Sequence, residues 1–147
     1  HKDRVSCQVC HSQPYKNCYA CHVGKDKNGF AFFKTKGSPM DFKIGFNPLR
    51  SEKRPEKFVT LRHVPVDPDS FKFYVKDGLS NFDRLPTWKF ATPHNIRRQT
   101  AQNKTCNACH GQQDLFLLAG DVDKRLLKAN QSVVVPADQI PKHREDD

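Results

Sequence analysis

Apolar and polar positions alternate in only a few short stretches of this chain. Segments 56–64 (EKFVTLRHV) and 70–75 (SFKFYV) place apolar residues at every second position, which predicts short β-strands with one buried face. Prolines break up the surrounding region 36–100, so we expect loops there with one or two strands. These prolines are Pro55, Pro65, Pro68, Pro86 and Pro93.

The pattern becomes more helical toward the C-terminus, over 105–131. Segment 112–119 (QQDLFLLA) is closed by Gly120, and 121–131 (DVDKRLLKANQ) opens on acidic residues that suit a helix N-terminus. Segment 132–135 (SVVV) follows as a candidate strand. The predicted fold class is therefore mostly irregular and loop-rich, with short helices and a few short strands.

Composition raises the question of what fills the core. Only 36% of the 147 residues are hydrophobic, although eleven are phenylalanines. A chain of this length normally buries about 68–70% of the surface that its unfolded form exposes. Either part of the chain is unstructured, or a large non-protein group supplies the missing core.

All six cysteines lie in three copies of Cys-x-x-Cys-His: CQVCH (7–11), CYACH (18–22) and CNACH (106–110). A four-cysteine zinc site could use the first two copies, but it leaves the third pair and all three histidines unexplained. A disulfide framework requires an even cysteine count, but no histidine after each pair. A thioredoxin-like centre requires one Cys-x-x-Cys near a βαβ pattern, which the sequence lacks. The remaining interpretation is covalent attachment of c-type haem.

On these three motifs the chain resembles the multihaem c-type cytochromes. The resemblance implies three covalently bound c-type haem groups, held through thioethers to the two cysteines of each motif. These are Cys7, Cys10, Cys18, Cys21, Cys106 and Cys109. His11, His22 and His110 are then the proximal ligands of the three irons. The haems would also supply the missing core, against which the aromatic side chains pack.

Four further histidines are candidates for the distal iron positions. His63 ends an alternating stretch and His94 follows Pro93 at a turn, and these two are the first choices. His1 lies a short reach before Cys7 and is the third choice, with His143 in the polar tail as its alternative. Met40, the only methionine, lies in a Gly-Pro loop and is not needed when four histidines are available. We therefore expect bis-histidine ligation at all three irons.

The chain reads as a single trihaem domain over 1–147 with three regions. Region 1–35 holds a haem pair, 36–100 supplies distal ligands, and 101–147 holds the third haem and C-terminal helices. The eleven-residue step from His11 to His22 reaches only about 36–40 Å when fully extended, which makes the first two haems neighbours. The third motif must be brought back to them by the fold.

The formal net charge of +9 does not indicate nucleic acid. Lysines and arginines are scattered along the chain, and no DNA- or RNA-binding motif accompanies them. Three haems bring six propionates, about −6 in charge, so many basic residues are expected to neutralise them. A docking patch for an acidic partner is the weaker interpretation.

The sequence also indicates a compartment. It has no run of eighteen apolar residues that could span a membrane. It opens HKDRV without the apolar segment of a signal peptide. Since c-type haem is installed after export, as the resemblance implies, we expect a mature or excised chain in the periplasm or outside the cell.

Two functions follow from these expectations. The first is electron transfer through three saturated haems, without an enzymatic activity, between other redox proteins or copies of the chain itself. Such a chain would work within a filament or a larger multihaem protein. The alternative is a module of a multihaem oxidoreductase in which one iron keeps an open position beside acid-base groups. The number of spare histidines favours the electron carrier.

Overall fold

The computed structural model describes residues 1–25, 27–40, 42–64, 74–78, 80–81 and 83–145, and only the backbone within 15–25 and 31–40. Within these residues, two short helices and five strands follow one another: α1 (Cys7–His11), β1 (Tyr15–Lys25), β2 (Ala31–Met40), β3 (Lys43–Phe46), β4 (Phe58–His63), β5 (Trp88–Phe90) and α2 (Leu127–Asn130). Short 3₁₀ turns occupy Ala101–Asn103, Cys106–Ala108, Gln113–Leu115, Ala119–Asp121, Lys124–Leu126 and Ala137–Gln139.

The strands form two antiparallel sheets. Strands β1 and β2 make a two-stranded ribbon whose register runs from Tyr15 opposite Met40 to Lys25 opposite Ala31. Strands β3, β4 and β5 make a three-stranded sheet in that order, with β4 in the centre. The second Cys-x-x-Cys-His motif therefore lies on the ribbon, and the other two motifs lie outside both sheets.

The central strand β4 is buried on both faces, which explains its run of four buried residues. Side chains alternate across a strand, so Phe58 joins one core cluster while Val59 and Leu61 join the other. Loops from the C-terminal third complete both clusters, with Phe116 in the first and Leu117 in the second. The first cluster also includes Val9, Ile44, Val135 and Ile140, and the second Val122, Leu126 and Val133. Helix α1 thus packs on the same core face as the C-terminal segment.

The sequence predicted some of these elements correctly. The strand predicted within 56–64 is confirmed as β4. The helical segment 121–131 contains the 3₁₀ turn Lys124–Leu126 and helix α2. Most of the strand predicted over 70–75 lies outside the described residues; its last two, Tyr74 and Val75, lie in a turn and a bend.

The helix predicted over 112–119 is wrong beyond its first turn. Within it, Gln113–Leu115 forms a 3₁₀ turn, residues 116–118 are extended, and Ala119 begins the separate 3₁₀ turn Ala119–Asp121. Leu117 donates its backbone N–H to the Ile44 oxygen at 2.8 Å, and its own oxygen accepts from Val135 N–H at 2.8 Å. These bonds to other segments replace helical ones because eight residues are too few for a helix to hold by itself.

The strand predicted at 132–135 is wrong as well. The turn that ends α2 continues into it, with the Val133 N–H donating to the Asn130 oxygen at 3.0 Å. The segment then makes single backbone bonds to two different neighbours, Phe46 and Leu117. One bond to each of two segments does not build a ladder, although Val133 and Val135 are buried as a strand would bury them.

Candidate functional site

The first motif forms one helical turn, α1. Because side chains three and four residues apart share a helix face, Cys7, Cys10 and His11 lie on one side of it. A five-residue helix is unstable alone, and two contacts with β4 stabilise it here. The Ser6 N–H just before it donates to the Phe58 oxygen at 3.0 Å, and Val9 is buried in the first core cluster. Cys7 is exposed and Cys10 is half-buried.

The third motif forms a similar turn from different bonds. The Thr105 hydroxyl accepts a hydrogen bond from the Ala108 N–H at 3.2 Å and caps the turn Cys106–Ala108. The His110 N–H then donates to the Cys106 oxygen at 2.9 Å, the spacing of an α-helical bond. Two cysteines and the following histidine are therefore gathered on one turn at both motifs.

The histidine rings of these two motifs are oriented in the same way. The Nδ1 atom of His11 lies 3.0 Å from the Arg97 backbone oxygen, and Nδ1 of His110 lies 3.1 Å from the Lys142 backbone oxygen. A carbonyl oxygen only accepts, so Nδ1 carries the hydrogen in the neutral ring. Nε2 then keeps its lone pair, which is the arrangement found in histidines that ligate metals.

The turns of the first and third motifs border one cavity of about 990 Å³. Pockets for drug-sized molecules cover about 300–1,000 Å³, so this one is large. Its apolar wall comes mostly from the first core cluster: Val5, Val9, Ile44, Phe58 and Phe116. Four cations also line it, and no carboxylate does so among the described residues; the cations are Arg4, Lys57, Lys104 and Lys142. The cavity therefore suits a large ligand with an apolar body and negatively charged groups.

Two imidazoles and three thiols also face this cavity. His1 and His110 have ring centroids 5.9 Å apart with their planes at 66°. The thiols belong to Cys10, Cys106 and Cys109. Burial raises the pKa of Cys10, with a further contribution from Cys7; burial also raises the pKa of Cys109, with a further contribution from Cys10. Cys10 and Cys109 are therefore protonated at neutral pH, unlike the lowered-pKa thiolates of thiol redox centres.

The other candidate histidines lie away from this cavity. His63 is at the exposed end of β4 and packs on Trp88 with ring centroids 5.2 Å apart; partial burial lowers its pKa. His94 is exposed in a segment that runs beside the first motif, where the Gln13 N–H donates to the Asn95 oxygen at 3.0 Å. His143 is exposed next to Gly111.

The second motif is only partly described. The backbone of Cys18, Cys21 and His22 lies in β1, and their side chains lie outside the described residues, as does the side chain of Met40. The four-cysteine zinc alternative needs Cys18 and Cys21 and so falls outside them too. The described cysteines Cys7, Cys10, Cys106 and Cys109 are free thiols.

A polar clamp on the first motif escaped the sequence analysis. The Gln102 side-chain amide donates to the Ser12 oxygen at 2.7 Å and to the Val9 oxygen at 3.3 Å. The Thr100 hydroxyl donates to the Cys10 oxygen. Side chains that bond to a distant backbone leave no local pattern. The one local pattern in the sequence that could have indicated this segment is the Thr-x-x-Asn cap of the turn Ala101–Asn103.

Comparison with known proteins leaves the family open. No family model matches the chain, and no curated protein or solved structure is detectably similar to it. Among the described side chains, no three histidine, cysteine or acidic groups cluster closely enough to hold a metal ion. A haem iron takes at most two ligands from protein, so this finding does not bear on haem. In the described part of the chain, no helix has the length and apolar character needed to cross a bilayer.

Proposed function

We propose that the chain is an electron-transfer protein that binds three c-type haems. The observation that carries this proposal is the pair of neighbouring imidazoles, His1 and His110, which line an apolar cavity beside Cys106 and Cys109. The described residues fit the group in three separate respects: the thiols, the iron ligands and the charges of the cavity wall.

The thiols suit covalent attachment. A c-type haem is held when each cysteine adds across a vinyl double bond: sulfur bonds one carbon and the thiol hydrogen goes to the other. This addition consumes no external oxidant. Cys106 and Cys109 stand at the start and near the end of one turn whose side chains border the cavity. The same construction at Cys7 and Cys10 supports attachment at the first motif.

The imidazole pair suits a six-coordinate iron. His1 and His110 would hold one iron between them, because two imidazoles that bind one metal through nitrogens at about 2 Å would have centroids roughly 6 Å apart. The observed separation is 5.9 Å. The Lys142 carbonyl orients His110 so that Nε2 is available to the metal. We propose His110 as the proximal and His1 as the distal ligand of this iron, with His11 and His22 proximal at the other two.

The charges of the wall suit propionates. Four cations line the cavity, and no carboxylate among the described lining residues opposes them. Six propionates on three haems would offset about six of the nine formal positive charges. Lys57 also lies 5.1 and 5.3 Å from the centroids of the Phe46 and Phe58 rings, which stabilises its ammonium at the apolar wall.

Haem supplies one-electron chemistry by cycling its iron between the ferric and ferrous states. When two histidines occupy both axial positions, no position is left for a substrate, which favours an electron carrier over a reductase. Electron partners would be other redox proteins or further copies of the chain, in a filament or a larger multihaem protein. Because c-type haem is attached after export, we place this function in the periplasm or outside the cell.

Electron paramagnetic resonance (EPR) of the oxidised holoprotein tests the proposal. We expect low-spin ferric signals alone in the unmodified protein, and one high-spin haem that binds carbon monoxide after reduction in His1→Ala. His143→Ala is the matched comparison, since that histidine is also exposed and close to the third motif but does not line the cavity; its spectrum should stay low-spin, because His63 and His94 are the first choices for the other two irons. An unchanged His1→Ala spectrum contradicts the assignment of His1. A high-spin signal in the unmodified protein favours the oxidoreductase alternative.

A further inference from the structure

The first and third motifs are far apart in sequence but joined in space by the segment between Thr100 and Thr105. Gln102 binds the backbone oxygens on both sides of His11's turn, at Val9 and Ser12. Three residues later Thr105 caps the turn of the third motif. The two haem-attachment turns are therefore the two ends of one rigid connection rather than two separate sites.

The cysteines of the two motifs face the same space. Cys10 from the first motif lines the cavity together with Cys106 and Cys109 from the third. A thioether sulfur marks the vinyl edge of its haem, so neighbouring sulfurs bring two haem edges together.

We infer that the haems of the first and third motifs form a directly contacting pair, and that the first motif is the middle station of the three. This inference rests on the proposed function and deepens it. The second motif follows the first after a link of six residues, SQPYKN, which keeps it close to the first as well. The spatial order is second, first, third, which differs from the order in the sequence.

Electron movement follows this order. His11 and His110 would hold the two irons between which an electron would pass, and the haems would supply the one-electron chemistry. Because tunnelling falls steeply with distance, the route from the second haem to the third would run through the first.

Circular dichroism (CD) in the Soret band of the holoprotein tests the order, because two haems in fixed contact give a bisignate couplet. The variant Cys18→Ala/Cys21→Ala lacks the second haem and keeps the other two. We expect it to retain a couplet, and we expect Cys7→Ala/Cys10→Ala, which keeps only the second and third haems, to lose it. The opposite pattern overturns the inference.

A milder pair of variants covers the case in which a haem-deletion variant does not fold. Gln102→Ala removes the amide that joins the segment to the first motif and leaves all three motifs intact. We expect it to lose couplet amplitude. Gln131→Ala, an exposed glutamine at the end of α2 that does not line the cavity, is the control and should match the unmodified protein. Equal couplets in both variants count against the inference. Covalent haem counts separate the two hypotheses, because three haems without coupling contradict the order alone, whereas no haem contradicts the proposed function itself.

Discussion

The side chain of Asn130 is fully buried, and its replacement tests how the sheet is attached to the C-terminal region. Its Oδ1 accepts the Trp88 backbone N–H at 2.9 Å, and its Nδ2 donates to the Thr87 hydroxyl at 3.0 Å and to the Leu126 oxygen at 2.9 Å. Asn130 thus joins β5 to α2. It also fixes the backbone of Trp88, and the side-chain ring of Trp88 packs against His63.

Asn130→Ala removes the side-chain partner of three polar groups, the Trp88 N–H, the Thr87 hydroxyl and the Leu126 oxygen. Each buried unpaired group costs about 1–3 kcal/mol, and because Trp88 is only partly buried we expect a total of about 3–5 kcal/mol. Against a typical free energy of unfolding of about 5–15 kcal/mol this is a large loss. Reversible urea unfolding followed by far-ultraviolet CD should show a lower midpoint with an unchanged slope.

Two further variants make this prediction specific. Gln131→Ala changes the exposed neighbour of Asn130 and should stay within about 0.5 kcal/mol of the unmodified protein. Asn130→Asp keeps the acceptor for Trp88 but removes both donors and buries a carboxyl whose pKa burial raises. The variant should therefore be more stable at low pH and lose stability as pH rises through that raised pKa. If Asn130→Ala costs less than about 1 kcal/mol, the three hydrogen bonds do not hold the sheet in the way described.

Three other predictions concern separate parts of the chain. Replacing His63 or His94 with alanine should make one haem high-spin in the EPR spectrum if that residue is a distal ligand, and unchanged spectra in both variants would direct the assignment to His143. The pKa of the Asp123 carboxyl is lowered from 3.8 to about 2, mainly by the hydrogen bond from the Arg125 side chain. This carboxylate therefore stabilises the fold above pH 3.8, and the stabilisation is lost as pH falls through about 2. Asp123→Asn should flatten this part of the acid-unfolding curve, and an identical curve would contradict the assignment. Gly45→Ala should destabilise the fold by about 1–3 kcal/mol in urea unfolding, because its Cβ would collide with β4 and the backbone oxygen of Val133; a neutral result would mean that β3 can move away.

The chemistry of the candidate site could be predicted from the sequence because it depends on residue types at a fixed spacing. Cys-x-x-Cys-His predicts two thiols and an imidazole on one turn, and the first and third motifs have that arrangement. The pairing of a distal histidine with each motif could not be predicted from the sequence. His1 was expected near the haem pair at the start of the chain, but its ring lies beside that of His110 in the third motif. Such a pairing depends on tertiary contacts that no local pattern records.

The secondary structure shows the same division. Strand β4 could be predicted because its alternation reflects burial in the sheet. The apolar run at Leu115–Leu118 has no such period, since Phe116 and Leu117 are buried in two different clusters. Apolar residues on both sides of an extended segment resemble one face of a short helix in sequence. The extended conformation is stabilised over the helical one by the backbone hydrogen bonds of Leu117 to Ile44 and Val135, which lie in distant segments.

The central claim is that three haems are bound covalently, and the intact mass of the purified native protein tests it most directly. The polypeptide alone has a mass of 16.9 kDa. We predict that the denatured protein carries the added mass of three haems, and that its alkaline pyridine spectrum is that of haem with two thioether bonds. A mass equal to that of the bare polypeptide, or bound zinc in place of iron, would contradict the account.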